Sequence, residues 1–278
     1  MSKDSVIVVY IPNKGNFLEQ FYGLYYSVVH KTTLYEKFDF LVCGPPAIAP
    51  LVPSEHCRFV SLPEISLYNH FRYEYSGNPY GYADSFAPFV NSQCLDILLD
   101  YQYCLRLDVD TFLCKGISDI VIGPDQIYTG CAAYASETAR KKLPEIMRRL
   151  RLEDQNIPNI GSTWFGTTEN MIRQGARTLD YVSHFLKNEF PQEGKWPQWY
   201  AGVILLYAGH VAINSSGLDI TKTDKFDYYS TSDQKAQEYY SLHCWHTDKF
   251  FSKFAFGANK YKDRKPKSKS LRCDEYSF

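Results

Sequence analysis

The run Val6-Ile7-Val8-Val9-Tyr10 is continuous, β-branched and apolar, and Pro12-Asn13-Lys14-Gly15 ends it at once. A strand with one wet face alternates polar and apolar residues. This one does not alternate, so it predicts a strand covered on both sides, as in a parallel sheet. Phe17 to His30 then reads as a helix, Phe38 to Cys43 as a second strand closed by Gly44-Pro45-Pro46, and Cys57 to Ser61 as a third. Strand-helix-strand alternation of this kind predicts an α/β domain with a mixed, mostly parallel sheet flanked by helices.

Further along, Tyr82 to Leu99 reads as a helix, and Tyr103 to Leu107 as a short strand with Asp108 and Asp110 at its carboxyl end. A strand at Gln126 to Ala133, a charged helix at Glu137 to Leu152, a strand at Asn159 to Phe165 and a helix at Glu169 to Phe190 follow. The loop Trp196-Pro197-Gln198-Trp199 leads into an apolar segment, Gly202 to Tyr207, expected as a strand. No Gly/Ser/Pro-rich linker divides the chain before Asn259, so residues 1–259 read as one domain. Residues 260–278 carry seven Lys/Arg against three Asp/Glu and read as a basic tail, solvated after Lys262.

Composition excludes several classes. A net charge of -1 over 278 residues gives no positive field for nucleic acid. No apolar run approaches the ~18 residues of a membrane span, and the first residues lack the pattern of a signal peptide. The eight cysteines contain no CxxC pair, which argues against zinc-finger and thioredoxin chemistry. Free thiols in a reducing compartment, and hence a cytoplasmic protein, are the expectation.

The segment Arg106-Leu107-Asp108-Val109-Asp110-Thr111 carries the chemistry. Carboxylates at i and i+2 on an extended chain point the same way. Two adjacent carboxylates stay ionised together only with a positive charge between them. A hard divalent cation, Mn²⁺ or Mg²⁺, meets that need and can bridge the phosphates of a nucleotide. Ligands of open α/β sheets bind at this end of the strands. The same letters, Asp108-x-Asp110-x, fit the nucleophile motif of haloacid-dehalogenase-type phosphatases. That motif usually opens its domain, however, and the later GDxxxD element is missing here.

In motif order, this chain resembles the GT-A-fold glycosyltransferases, in particular their retaining glycogenin- and galactosyltransferase-like branch. Those proteins pair a tyrosine-containing helix with a strand ending in YLDxDT. Here Tyr82 to Phe89 leads to Leu105-Arg106-Leu107-Asp108-Val109-Asp110-Thr111. Tyr200-Ala201-Gly202-Val203 stands for their N-x-G-V strand, Asp233-Gln234 for a D-Q element, and Leu242-His243-Cys244-Trp245-His246 for a late metal-binding histidine. Asp84 replaces the basic residue of the helix, Tyr200 replaces the Asn, and the closing H-x-x-G-x-x-K-P-W is missing.

The resemblance implies a single Rossmann-like domain that transfers a sugar from a nucleotide donor, UDP first, to a glycan or glycoprotein, with retention favoured. Asp108, Asp110 and His243 would hold the metal, with His246 the alternative imidazole. Tyr10, Pro12, Asn13 and Asp108 would line the donor site, and Lys249 and Lys253 would fold over the diphosphate. Asp233 and Gln234 would face the transferred sugar; an inverting enzyme would need Asp233 or Asp227 as base. Trp164, Trp196 and Trp199 would line the acceptor cleft. The alternatives are a sugar-1-phosphate nucleotidyltransferase, for which Pro12-Asn13-Lys14-Gly15-Asn16 is a poor phosphate loop, and a non-catalytic glycan-binding module.

Overall fold

A computed structural model describes residues 3–244, 252–258, 260 and 273–276. Among the described residues ten strands form two sheets: β1 (Ser5–Tyr10), β2 (Phe38–Gly44), β3 (Cys57–Ser61), β4 (Tyr103–Arg106), β5 (Thr111–Leu113), β6 (Gln126–Cys131), β7 (Ile160–Thr167), β8 (Asp219–Lys222), β9 (Tyr228–Tyr229) and β10 (Ser241–His243). The large sheet has the order β3-β2-β1-β4-β7-β6-β8, and the small one β5-β10-β9. All pairings in the large sheet are parallel except those of β7, which runs antiparallel to both β4 and β6.

The doubly apolar β1 is central for the reason its sequence gives. Val6, Val8 and Tyr10 join one core, while Ile7, Val9 and the following Ile11 join the other. The second core packs under α1 (Phe17–Tyr26) through Phe21 and Leu24. The first packs under α4 (Thr168–Asn188) and α5 (Ile204–Asn214). The remaining helices are α2 (Ser92–Leu98), α3 (Glu137–Arg149), α6 (Lys253–Gly257) and α7 (Cys273–Tyr276). Among the described residues no helix is long and apolar enough to cross a membrane, and no disulfide is present.

Three sequence expectations need correction. Gly202 to Tyr207 is helical: a 3-10 turn at Ala201–Val203 feeds α5, nine of whose eleven residues are buried. A helix buried on all sides shows the same unbroken apolar run as a buried strand, so periodicity could not separate them. Tyr82 to Leu99 is not one helix either. Gly81–Phe89 is 3-10, with Pro88 inside it, and α2 restarts after Asn91, whose side chain accepts from the Cys94 N–H. Nor is the described end of the tail solvated. Cys273 is buried, its N–H donates to the Gln234 carbonyl, and the Tyr276 hydroxyl donates to the Leu113 carbonyl at 2.6 Å.

Candidate metal centre

The alternation of β4 builds the floor of the site. Cys104 faces the first core and Leu105 and Leu107 the second, so Arg106 and Asp108 share the side of the 3-10 helix Gly81–Phe89. Arg106 is 2% exposed. Its guanidinium donates to the Ser162 carbonyl at 2.5 Å, to the Ser85 hydroxyl at 3.2 Å and to Asp108 Oδ1 at 2.8 Å, and it lies 4.7 Å from the Phe86 ring centre. A buried cation satisfied in this way fixes the first aspartate.

The chain then turns at Val109-Asp110 into β5, and β10 pairs antiparallel with β5, placing His243 opposite Thr111. This pairing brings the His243 ring to Asp110, with Nε2 3.3 Å from Oδ1. The Cys244 N–H donates to the Asp110 carbonyl at 2.9 Å and locks the junction. One ligand atom each from Asp108, Asp110 and His243 lies within 4.8 Å of the others. Burial opposes ionisation of Asp110, but His243 and Lys253 overcome it and hold the carboxyl well below the usual range. For His243, burial opposes the charged ring; Asp110 and Asp227 outweigh it and push the imidazole well above its ordinary value.

Asp227 stands behind His243, its Oδ1 3.5 Å from Nδ1. Its backbone takes a φ of 55°, the left-handed region in which Asp is better tolerated than most residues. Its N–H donates to the Ser241 hydroxyl at 3.0 Å. The carboxylate fills a gap between β6 and β7 that two glycines leave open. A Cβ on Gly130 would lie 2.0 Å from Asp227 Oδ2, and one on Gly161 2.4 Å from it.

Lys253 reaches the cluster from α6. Its ammonium pairs with Asp110 Oδ2, and its carbonyl accepts from Asn16 Nδ2 at 2.9 Å. Asn16 is held in turn by the Gln20 side chain at 2.7 Å. The turn after β1 therefore carries the segment that brings a cation to the second aspartate.

The other expected residues are dispersed. Tyr10 is 7% exposed, with its hydroxyl buried and unpartnered among the described residues, and burial raises its pKa, helped by Asp84. Pro12 is half-buried and Asn13 exposed at the end of β1. Asp233 and Gln234 are exposed, and Gln234 Nε2 donates to Asp233 Oδ1; the acid at His243 is Asp227. Trp164 does not line an acceptor cleft: it is 2% exposed in β7, bonded to the Gly161 carbonyl and packed edge-on against Phe86. Trp199 is also a packing residue, stacked in one parallel cluster with Phe190 at 4.9 Å and Tyr207 at 4.5 Å. Trp196 is 45% exposed. His246 and Lys249 lie outside the described residues.

Sequence reasoning missed Arg106 and the two glycines. A charged residue between Leu105 and Leu107, and glycines inside strands, were the available signals.

Fold and site together define an α/β protein of Rossmann-like architecture with a carboxylate–imidazole cluster at the carboxyl end of β4. The chain matches, over residues 2–277, the profile of a family described as a domain of unknown function, DUF7164, and belongs to that family. No curated protein matches it.

Proposed function

We propose that this protein is a metal-dependent glycosyltransferase that takes a sugar from a nucleotide donor, UDP first, and passes it to a glycan or glycoprotein. The observation that carries this reading is the convergence of Asp108, Asp110 and His243 at the carboxyl end of the sheet's central strands, where open α/β sheets bind their ligands.

The donor set fits a divalent cation. Two carboxylates and one imidazole give a mixed oxygen–nitrogen set, and the three ligand atoms span 4.8 Å or less. The imidazole favours Mn²⁺ over Mg²⁺, which prefers oxygen alone and gives up its water reluctantly. Bound there, such an ion would neutralise the charge of a departing nucleoside diphosphate.

The chain's own groups do the rest. Arg106 keeps Asp108 oriented, and Asp227 holds His243 by its other ring nitrogen. Lys253 can exchange its pair with Asp110 for a diphosphate oxygen, a point-charge role suited to lysine. Asp227 is committed to His243 and Thr163, which leaves the exposed Asp233 as the base an inverting enzyme would need; the resemblance favours the retaining outcome. A cytoplasmic location suits the thiols.

The test is UDP release from a panel of UDP-hexoses and UDP-pentoses, with Mn²⁺ and with a chelator. The reading expects Mn²⁺-dependent turnover of at least one donor, lost in Asp108→Asn and Asp110→Asn. Phosphate release from simple phosphomonoesters with no turnover of any nucleotide sugar would replace it with the phosphatase alternative.

A further inference from the structure

A set of tyrosines gathers at the start of the 3-10 helix Gly81–Phe89: Tyr80 belongs to the first core and Tyr73 packs against it, while Tyr75 and Tyr82 stand exposed. Three segments converge on it. The first is the turn between the paired residues Arg72 and Pro79, carrying Tyr73 and Tyr75. The second is the start of the 3-10 helix Gly81–Phe89, carrying Tyr82. The third is the loop closed by the pairing of Gly194 with Tyr200, where the Ala201 N–H donates to the Glu193 carbonyl at 2.7 Å. Gly194 has φ +75°, and a Cβ there would lie 1.9 Å from the Trp199 carbonyl oxygen. The loop is built around that glycine.

The rings form a chain. Tyr73 lies 5.2 Å from Tyr75 and 5.5 Å from Tyr80, and Tyr80 lies 5.5 Å from Tyr82. Tyr80 is buried, and its hydroxyl accepts the Leu205 N–H at 2.7 Å, which anchors the set to α5. Tyr82 is 60% exposed and Tyr75 37%. Glu193 is the charged group these rings share. Burial, then its carboxylate and its hydrogen bond, raise the Tyr200 phenol, and it acts on Tyr73 and Tyr75 as well.

Rigid rings left in water on a packed base are the composition of a binding surface, because they add contact area with little entropy to lose. Their faces match the C–H faces of a pyranose, and their hydroxyls and the Glu193 carboxylate match its hydroxyls. The carboxylate also disfavours an anionic ligand.

Position argues for the reacting partner. The Ser85 hydroxyl donates to the Tyr82 carbonyl at 2.8 Å and receives Arg106 Nη2, whose other partner is Asp108. Tyr82 is therefore one 3-10 turn, about 6 Å of rise, from the residue that touches the metal centre's arginine.

We propose that Tyr75, Tyr82, Tyr200 and Glu193 form the platform that binds the acceptor, a neutral pyranose oligosaccharide, an inference that rests on the glycosyltransferase reading for the word acceptor but not for the binding itself.

The experiment uses the full chain with maltopentaose, cellopentaose, chitopentaose and an acidic counterpart, pentagalacturonate, in saturation-transfer NMR and calorimetry. Mn²⁺ and UDP affinities are measured on the same samples. Tyr82→Ala and Tyr75→Ala are compared with Tyr26→Ala, a control at an exposed tyrosine on α1. The proposal expects at least one neutral oligosaccharide to bind, and to lose about tenfold in affinity in the two platform variants. The control should be unchanged, as should Mn²⁺ and UDP binding in every variant. Absence of binding by every neutral probe, indifference to Tyr82→Ala, or preference for the uronic chain would each overturn it. Oligosaccharide binding with no response to Mn²⁺ and UDP would leave the platform standing and remove the transferase reading.

Discussion

Thr163 holds Asp227 twice, its N–H donating to Oδ2 at 3.1 Å and its hydroxyl to Oδ1 at 2.6 Å. A residue of β7 in the large sheet thus fixes the acid that stands behind His243 of the small one. Removing the hydroxyl in Thr163→Val leaves a buried carboxylate short of a partner and loosens its hold on the His243 ring. The expected result is a fall in Mn²⁺ affinity of about 10- to 100-fold, read by calorimetry, with the fold retained. Asp227→Asn should act in the same direction.

The two glycines give a steric version of the same prediction. Gly161→Ala puts a methyl group where the Asp227 carboxylate lies. Overfilling a packed position costs about 1–3 kcal/mol, and the atoms crowded here are the Asp227 carboxylate that faces His243 and the β6 backbone at Gly130 and Cys131. Urea unfolding should show that loss, and metal affinity should fall with it. A variant that loses stability but binds Mn²⁺ as before would separate Asp227 from the metal centre.

Arg106 makes three hydrogen bonds with a planar fork, and lysine cannot reproduce them. Arg106→Lys is expected to cost about 1–3 kcal/mol, since the Ser162 carbonyl and Ser85 hydroxyl lose their donor. Denaturant midpoints measure it.

Lys253 predicts effects of opposite sign. Its ammonium pairs with Asp110 Oδ2, so a cation bound at that carboxylate competes with it. If that pair is formed about nine-tenths of the time, Lys253→Met should raise the affinity for Mn²⁺ alone by about tenfold. The same variant should weaken UDP binding in the presence of Mn²⁺, because the displaced ammonium is then missing from the diphosphate. Calorimetry with and without UDP reads both.

Stability should depend on pH through His210, which is not part of the Asp108–Asp110–His243 cluster. Burial pushes its pKa down to about 4 from 6.5, and its Nδ1 lies 3.0 Å from the Tyr134 hydroxyl. The folded state holds the ring neutral, so the unfolded state binds more protons between those values. Stability is complete above pH 6.5 and falls as the pH drops towards 4, by about 3 kcal/mol in all from this group. The urea midpoint measured from pH 7.5 to 4.5 should follow that slope, and His210→Gln should flatten it.

The sheet was legible where one residue pattern admits one structure. The run Val6 to Tyr10 requires cover on both faces, and the boundaries of β3 agree with the sequence reading. Asp108 and Asp110 could be read as a pair because they are neighbours on the chain. His243 could be suspected but not placed, since its contact with Asp110 depends on β10 pairing with β5. Asp227 was ambiguous for the same reason: its role comes from gaps at Gly130 and Gly161, which are far from it in sequence. Trp164 and Trp199 misled because an aromatic side chain reads alike whether it is buried or offered to a sugar.

The most direct measurement is anomalous diffraction from crystals grown with MnCl₂ and UDP, collected above and below the manganese edge. The account predicts one strong peak bonded to carboxylate oxygens of Asp108 and Asp110 and to the His243 ring, with density for the diphosphate against it. Crystals that show bound manganese elsewhere and keep Lys253 paired with Asp110 would contradict it.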